Sequence, residues 1–326
     1  MPDGLATGVV VTLDAAPATS AGQSVRLPLH KPRATYVFLA LIGLVFVLET
    51  VLILQVSGSL DLAVMNSSAD PRLRMLSTQV LFFLGAQVNG QVWANGEYWR
   101  LLAAAFLHIG LMHLAFNGWA LYILGRDVEA FLGTPRFVII YLFAGLFGNV
   151  AYYLLGDNVL SAGASGAIFG LIGAEAAFFL RNRKLLGSPG RQRLTNLAIL
   201  IVINLVFGFA GTGINNLAHL GGLFAGVALA LALTPKYEVT WQWDGNTPVP
   251  RLVNSTPVWI QVGAVFLAVV LLLGGVRLGD QRWAGEVPAL RQPGVALMQE
   301  VPYVSYHLAS FGGPPAGDRG GLVSGE

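Results

Sequence analysis

Residues 194–235 run for 42 positions without an Asp, Glu, Lys or Arg. One helical crossing of a bilayer needs only about 20 mostly apolar residues. The stretch is therefore two crossings, and Gly211-Thr212-Gly213 near its middle predicts a tight hairpin between two helices. Lipid cannot satisfy free backbone groups, so only helices and closed barrels span it. The apolar runs in this chain are continuous rather than alternating, which selects helices. Composition agrees, since 11% of residues are charged and 55% hydrophobic, against roughly 25% charged in a soluble globular domain.

Seven spans are expected, at 34–56, 110–124, 137–155, 160–180, 194–210, 214–233 and 257–276. The second is preceded by further uncharged sequence from 101, which suits an interfacial helix leading into it. Basic residues set the orientation. With the N-terminus cytoplasmic, Arg26, Lys31, Arg33, Arg126, Arg136, Arg181, Arg183, Lys184, Arg191, Arg193, Lys236 and Arg251 fall inside, 12 of the 19 Lys and Arg. Seven spans then put the C-terminus outside. The expected layout is a cytoplasmic tail (1–33), a six-helix core (34–235) with a long external loop (57–100), a cytoplasmic linker (236–256), a seventh helix (257–276) and a disordered external tail (277–326) rich in Gly and Pro. The first 33 residues lack the pattern of a signal peptide, and this favours a bacterial plasma membrane.

Several function classes fall away. Cysteine is absent, which excludes disulfides, thiolate metal ligands and thiol catalysis. The basic residues are scattered and the net charge is +2, so there is no electrostatic footprint for nucleic acid. No HExxH zinc motif, GxGD aspartyl pair or GxSxG elbow is present. Neither a metal nor a cofactor is expected.

Polar side chains in hydrocarbon are costly and mark candidate sites, although most serve only to pack helices. Those within or beside the spans are Glu49, His108, His113, Asn117, Asn149, Ser161, Ser165, Glu175, Asn204, Asn215, Asn216 and His219. The second, fourth and sixth spans all enter from the external side. Ser165 and His219 each lie about one turn into theirs, under roughly 10 Å deep. His113 and Asn117, four residues apart, share one face of the second span near that level. Gly166, Gly170 and Gly173 line the Ser165 helix, and Gly222 and Gly226 line the His219 helix, so the two backbones can approach closely. A serine is a poor nucleophile until a base takes its proton, and a neutral imidazole is such a base. The Asn117 amide, the His113 imidazole and the Ser165 backbone N–H are candidate oxyanion donors. Asp157 falls in a short external turn and is not expected to orient His219, which leaves a Ser-His dyad rather than a triad.

Gly163-Ala164-Ser165-Gly166-Ala167 resembles the GxSG motif of the rhomboid intramembrane serine proteases. The segment from Ala218-His219 to Gly226, His108 with His113 through Asn117, the Trp99-Arg100 pair, and Gly125 with Glu129 are each similar to further motifs of that family, all within residues 97–230. The resemblance implies an all-α polytopic fold, a rhomboid-like six-helix bundle with one additional C-terminal transmembrane helix. It implies Ser165 as nucleophile, His219 as base, and Asn117 and His113 in the oxyanion hole. The fifth span is expected to move as a lateral gate, and the partners are transmembrane protein substrates within the lipid bilayer. Some rhomboids stack a Tyr on the catalytic histidine, and here Phe169 holds that place, keeping the ring but not the hydroxyl.

The alternative is a catalytically silent rhomboid-like protein that binds and escorts membrane proteins; a missing Ser or His would signal it, and both are present. A transporter would need intramembrane acidic groups or broken helices near the midplane on facing spans, for which only Glu49 and Glu175 qualify. Arg100 and Glu129 are expected to be scaffold.

Overall fold

In the computed structural model the described residues are 10–12, 24–66, 70–210, 214–245 and 247–286. The Gly211–Gly213 break, most of the N-terminal tail and residues 287–326 lie outside them. The elements are β1 (Val10–Thr12), β2 (Ser24–Arg26), α1 (Arg33–Ser57), α2 (Leu60–Met65), α3 (Pro71–Leu84), α4 (Asn89–Asn95), α5 (Arg100–Ala103) running on as a short 3-10 turn, α6 (Leu111–Ala120), a π-helical turn (Leu121–Gly125), α7 (Arg126–Leu132), α8 (Thr134–Leu155), α9 (Ser165–Arg181), α10 (Arg183–Ala210), α11 (Asn216–Leu233), β3 (Tyr237–Asp244), β4 (Thr247–Asn254) and α12 (Val258–Glu286). Among them α1, α8, α10, α11 and α12 are long and apolar enough to cross a membrane, and the pair Arg100–Phe106 with Leu111–Leu132, bent by 90°, makes a sixth.

The centre of the molecule is α9. Nearly all of its side chains are buried, against α8 on one side and α11 on the other. Having 17 residues, it extends about 26 Å, less than the roughly 30 Å of the hydrocarbon core. The sequence reading started this span at 160. Residues 157–164 are instead non-helical, and Ser165 is the first residue of the helix. The serine is thus carried inward by a loop rather than by a turn of helix.

Contact between α9 and α11 is made by backbone. A Cβ on Gly222 would collide with the Gly166 carbonyl, and one on Gly226 with that of Gly170. Real Cβ atoms do not approach so closely, so these two positions admit only glycine at this spacing.

The loop 57–100 is built, not slack. Asp70 caps α3 by accepting from the Arg72 N–H (2.8 Å). The Arg100 guanidinium pairs with Glu97 (2.6 Å), donates to the Phe82 and Ala86 carbonyls, and lies over the Phe82 ring at 4.1 Å. Gln87 and Ser161 exchange both backbone bonds (2.9 and 2.8 Å), which ties the loop to the segment leading to Ser165. At the opposite end Glu129 accepts from Ala34 N, Thr35 N, Thr35 Oγ1 and Thr134 Oγ1 at 2.6–2.9 Å, holding the starts of α1 and α8 together. Both residues are scaffold by geometry.

Two parts differ from expectation. The segment 236–256 is an antiparallel hairpin, β3 against β4, with Tyr237 paired to Asn254 and Asp244 to Thr247. Its base is fastened by the Asn182 amide, which donates to the Phe178 and Pro235 carbonyls and accepts from the Tyr237 N–H. The tail from 277 is not disordered at its start, because α12 continues to Glu286. Asp280 accepts from the hydroxyls of Tyr98 (2.9 Å) and Tyr153 (2.7 Å), and the buried Trp283 indole donates to the Tyr153 carbonyl (2.8 Å). These bonds fix the last turns of α12 to α8 and to the loop before α5.

Candidate active site

Ser165 and His219 come together. The His219 Nε2 lies 2.9 Å from the Ser165 Oγ. The glycine contacts described above set that distance, since Ser165 directly precedes Gly166 and His219 lies about one turn before Gly222, the two sides of one backbone crossing. Asn215 caps α11 by accepting from the Ala218 N–H (3.0 Å), which fixes the turn that carries the histidine. Phe169, one turn after Ser165, stacks on the His219 ring with centroids 4.2 Å apart and planes 10° from parallel. The imidazole is clamped between ring and hydroxyl. Its Nδ1 is buried, and no protein group among the described residues accepts from it. Asp157 is bound elsewhere, through its carbonyl to the Asn89 amide (2.9 Å). Among the described residues no carboxylate pairs with His219.

His113 and Asn117 project from α6 toward the loop before Ser165. A Cβ on Gly163, whose φ is 140°, would come 2.7 Å from His113 Cε1 and 3.8 Å from Asn117 Nδ2. The glycine therefore makes room for both side chains. His113 Nδ1 accepts from the Ile109 N–H (3.4 Å), which leaves the proton on Nε2, the nitrogen facing Gly163. Asn117 is 6% exposed, and its Nδ2 is a buried donor with no acceptor among the described residues. Ser165 N–H opens a helix and has no intrahelical acceptor. His113 and Asn117 therefore flank Gly163, two residues before Ser165 on the loop that leads to it.

Both buried carboxylates within the spans, Glu49 and Glu175, have structural partners. The Glu49 carboxylate, 1% exposed, accepts from the His108 N–H at 3.1 and 3.3 Å. That N–H is freed by the 90° bend between the 3-10 turn and α6, so Glu49 satisfies a backbone donor that lipid would not. His108 itself packs edge-on against His113 with centroids 5.2 Å apart. Glu175 meets Arg193 (2.5 Å), which also meets Asp127 (2.6 Å). Sequence reasoning had no account of Glu175, because a partner 18 residues away on another helix leaves no local signal. Gly163 was recognised by its motif, but its task of clearing space for His113 was not.

A mostly helical membrane bundle thus holds a part-buried, hydrogen-bonded Ser-His pair near the start of its central helix. A family model, the Rhomboid domain, matches residues 95–236. Rhomboid protease GluP of Bacillus subtilis (strain 168) is 42% identical over 204 residues, 62% of this chain and 35% of that protein. YdcA of the same organism, which also carries the rhomboid protease name, is 35% identical over 146 residues, 44% of this chain and 72% of its own length. RHOMBOID-like protein 6 of Arabidopsis thaliana is 33% identical over 204 residues, 62% of this chain and 66% of that protein. The chain belongs to the rhomboid family and is an integral, multi-pass membrane protein; the matched region spans about a third of the length of GluP.

Proposed function

We propose that the protein is an intramembrane serine endopeptidase that cleaves single-span membrane proteins near their external boundary. The observation that carries this reading is the 2.9 Å contact between Ser165 Oγ and His219 Nε2. In the proposed reaction Ser165 Oγ attacks the scissile carbonyl carbon while His219 Nε2 takes the hydroxyl proton. The tetrahedral oxyanion accepts from Asn117 Nδ2, His113 Nε2 and the Ser165 N–H. The intermediate collapses as the leaving amine takes the proton from His219, and an ester remains on Ser165. Water, deprotonated by His219, attacks the ester, releases the carboxyl fragment and restores the serine. Phe169 keeps the imidazole plane aligned through both steps.

The proposed orientation places the N-terminus in the cytoplasm of a bacterial cell and the Ser165 end of the bundle outside, as the 12 basic residues in the cytoplasmic segments favour. In this reading α12 is a seventh crossing, and α10 is the gate through which a substrate helix enters. The sparse burial of α10 supports that role, since only Leu186, Gly190, Leu197 and Gly208 are buried along it.

The test is cleavage of a single-span substrate with small residues and a helix breaker near its external boundary. Purified wild type, Ser165→Ala and His219→Ala run in parallel in detergent. Cleavage by wild type and a drop of at least about 10³-fold in both variants is expected. Folded wild type that neither cleaves any of several such substrates nor reacts with a fluorophosphonate would point instead to binding and escort.

A further inference from the structure

At the end of the bundle away from Ser165, where α9 passes into α10 and α11 into β3, lies a cavity of about 620 Å³. Its wall carries four cations, Arg181, Arg183, Lys184 and Lys236, and two apolar side chains, Leu180 and Leu185. Only one carboxylate borders it, that of Glu238, and Lys236 already engages it at 2.8 Å. That hydrogen bond and the adjacent ammonium charge hold the Glu238 carboxyl below its ordinary value, so it stays ionised and committed to Lys236. Arg183 and Lys184 are exposed and have no carboxylate partner among the described residues. Arg181 is fixed in the wall by its bond to the Leu231 carbonyl (2.8 Å).

Basic residues flanking apolar helices are common, and scattered ones need no ligand. These four are not scattered. They come from the end of α9, the start of α10 and the strand after α11, and they converge on one concavity. The surroundings are those of a headgroup region. The hairpin carries Tyr237, Val239, Trp241 and Trp243 on one face, with Trp243 68% exposed, and Trp and Tyr favour the membrane–water boundary. An anion with a hydrocarbon tail would match both the cations and Leu180 and Leu185.

We propose that this cavity binds a phosphate-bearing anionic headgroup, and that its source is a phospholipid of the surrounding leaflet. Bound there, the phosphate bridges α9, the first turn of α10 and the hairpin. The inference does not rest on the proteolytic reading, and its test does not use cleavage.

The experiment measures thermal unfolding of the full chain in detergent with increasing dioleoyl phosphatidylglycerol. The same titration is run with dioleoyl phosphatidylcholine and with inorganic phosphate. Phosphatidylglycerol is expected to raise the midpoint saturably, with little effect of the other two. Arg183→Gln/Lys184→Gln removes two exposed cations without touching a buried group, and is expected to raise the half-saturating lipid concentration at least about tenfold. Arg72→Gln/Arg74→Gln, in α3, is expected to leave it unchanged. Equal stabilisation of wild type and Arg183→Gln/Lys184→Gln, or none of wild type, overturns the proposal. A rise with inorganic phosphate matching that with phosphatidylglycerol overturns the lipid source.

Discussion

Helices α9 and α10 follow one another in the chain, are both apolar, and have opposite fates. Almost every side chain of α9 is buried, whereas α10 shows most of its length to lipid, with Phe207 67% and Phe209 76% exposed. Hydropathy does not separate them. What separates them is the size of the side chains. Gly166, Gly170 and Gly173 let α9 meet α11 backbone to backbone, whereas the Ile, Val and Phe residues of α10 hold their neighbours at a distance. In lipid, being apolar costs nothing on either face, so contact has to come from shape.

The largest test of that contrast is Gly226→Leu. The side chain has no space opposite the Gly170 carbonyl, and α9 and α11 must separate. Loss of the folded state is expected, seen as a missing unfolding transition and a missing monodisperse peak in size-exclusion chromatography. A folded, stable Gly226→Leu protein would end the claim that backbone contact builds the centre.

Next is Arg193→Met. Its guanidinium is the one ionic link between α10 and the interior among the described residues, and removing it strands Glu175, which is 0% exposed. A loss of about 3 kcal/mol in stability is expected, since an unpaired buried charge is more costly than a missing pair. Arg193→Met/Glu175→Met is expected to recover most of it. If the single substitution is silent, α10 is not anchored at its base.

Asn117→Ala asks whether the tight pair is sufficient without α6. A fall of about 10²-fold in fluorophosphonate labelling or turnover is expected, with the unfolding midpoint almost unchanged, because the proposed oxyanion donor Nδ2 has no hydrogen-bond partner among the described residues. Smallest of all, Phe207→Ala on the lipid face of α10 is expected to change stability by less than about 0.5 kcal/mol. A change of 2 kcal/mol or more there would mean α10 packs as closely as α9.

Much of the site was legible because its residues carry short-range signatures. The Gly-x-Ser-Gly run, His113 and Asn117 at a four-residue spacing, and His219 ahead of Gly222 and Gly226 each state a helix face. The sequence pattern set Ser165 about one turn into its helix, whereas it opens α9. No local pattern marks where α9 begins, because the chain from 157 to 164 is held by bonds to Gln87 and Ala104, far away in sequence. The hairpin at 237–254 was missed although its signal was present. Tyr-Glu-Val-Thr-Trp-Gln-Trp-Asp alternates with the period of a strand, a short signal set between two long apolar spans. The ordered end of α12 was hidden differently: Asp280, Arg282 and Trp283 look like tail composition until their partners on α8 are known.

The shortness of α9 has a consequence for where such a protein can act. Adding one residue to its start would raise the serine by about 1.5 Å and also swing it by about 100°, away from the imidazole. Only a whole turn, about 5.4 Å, restores the angle, and His219 on α11 would have to climb by the same step. In the proposed reaction, the depth of the Ser-His plane is therefore a stepped quantity, locked to the pitch of two helices at once, and fine adjustment has to come from how the target sits in the bilayer.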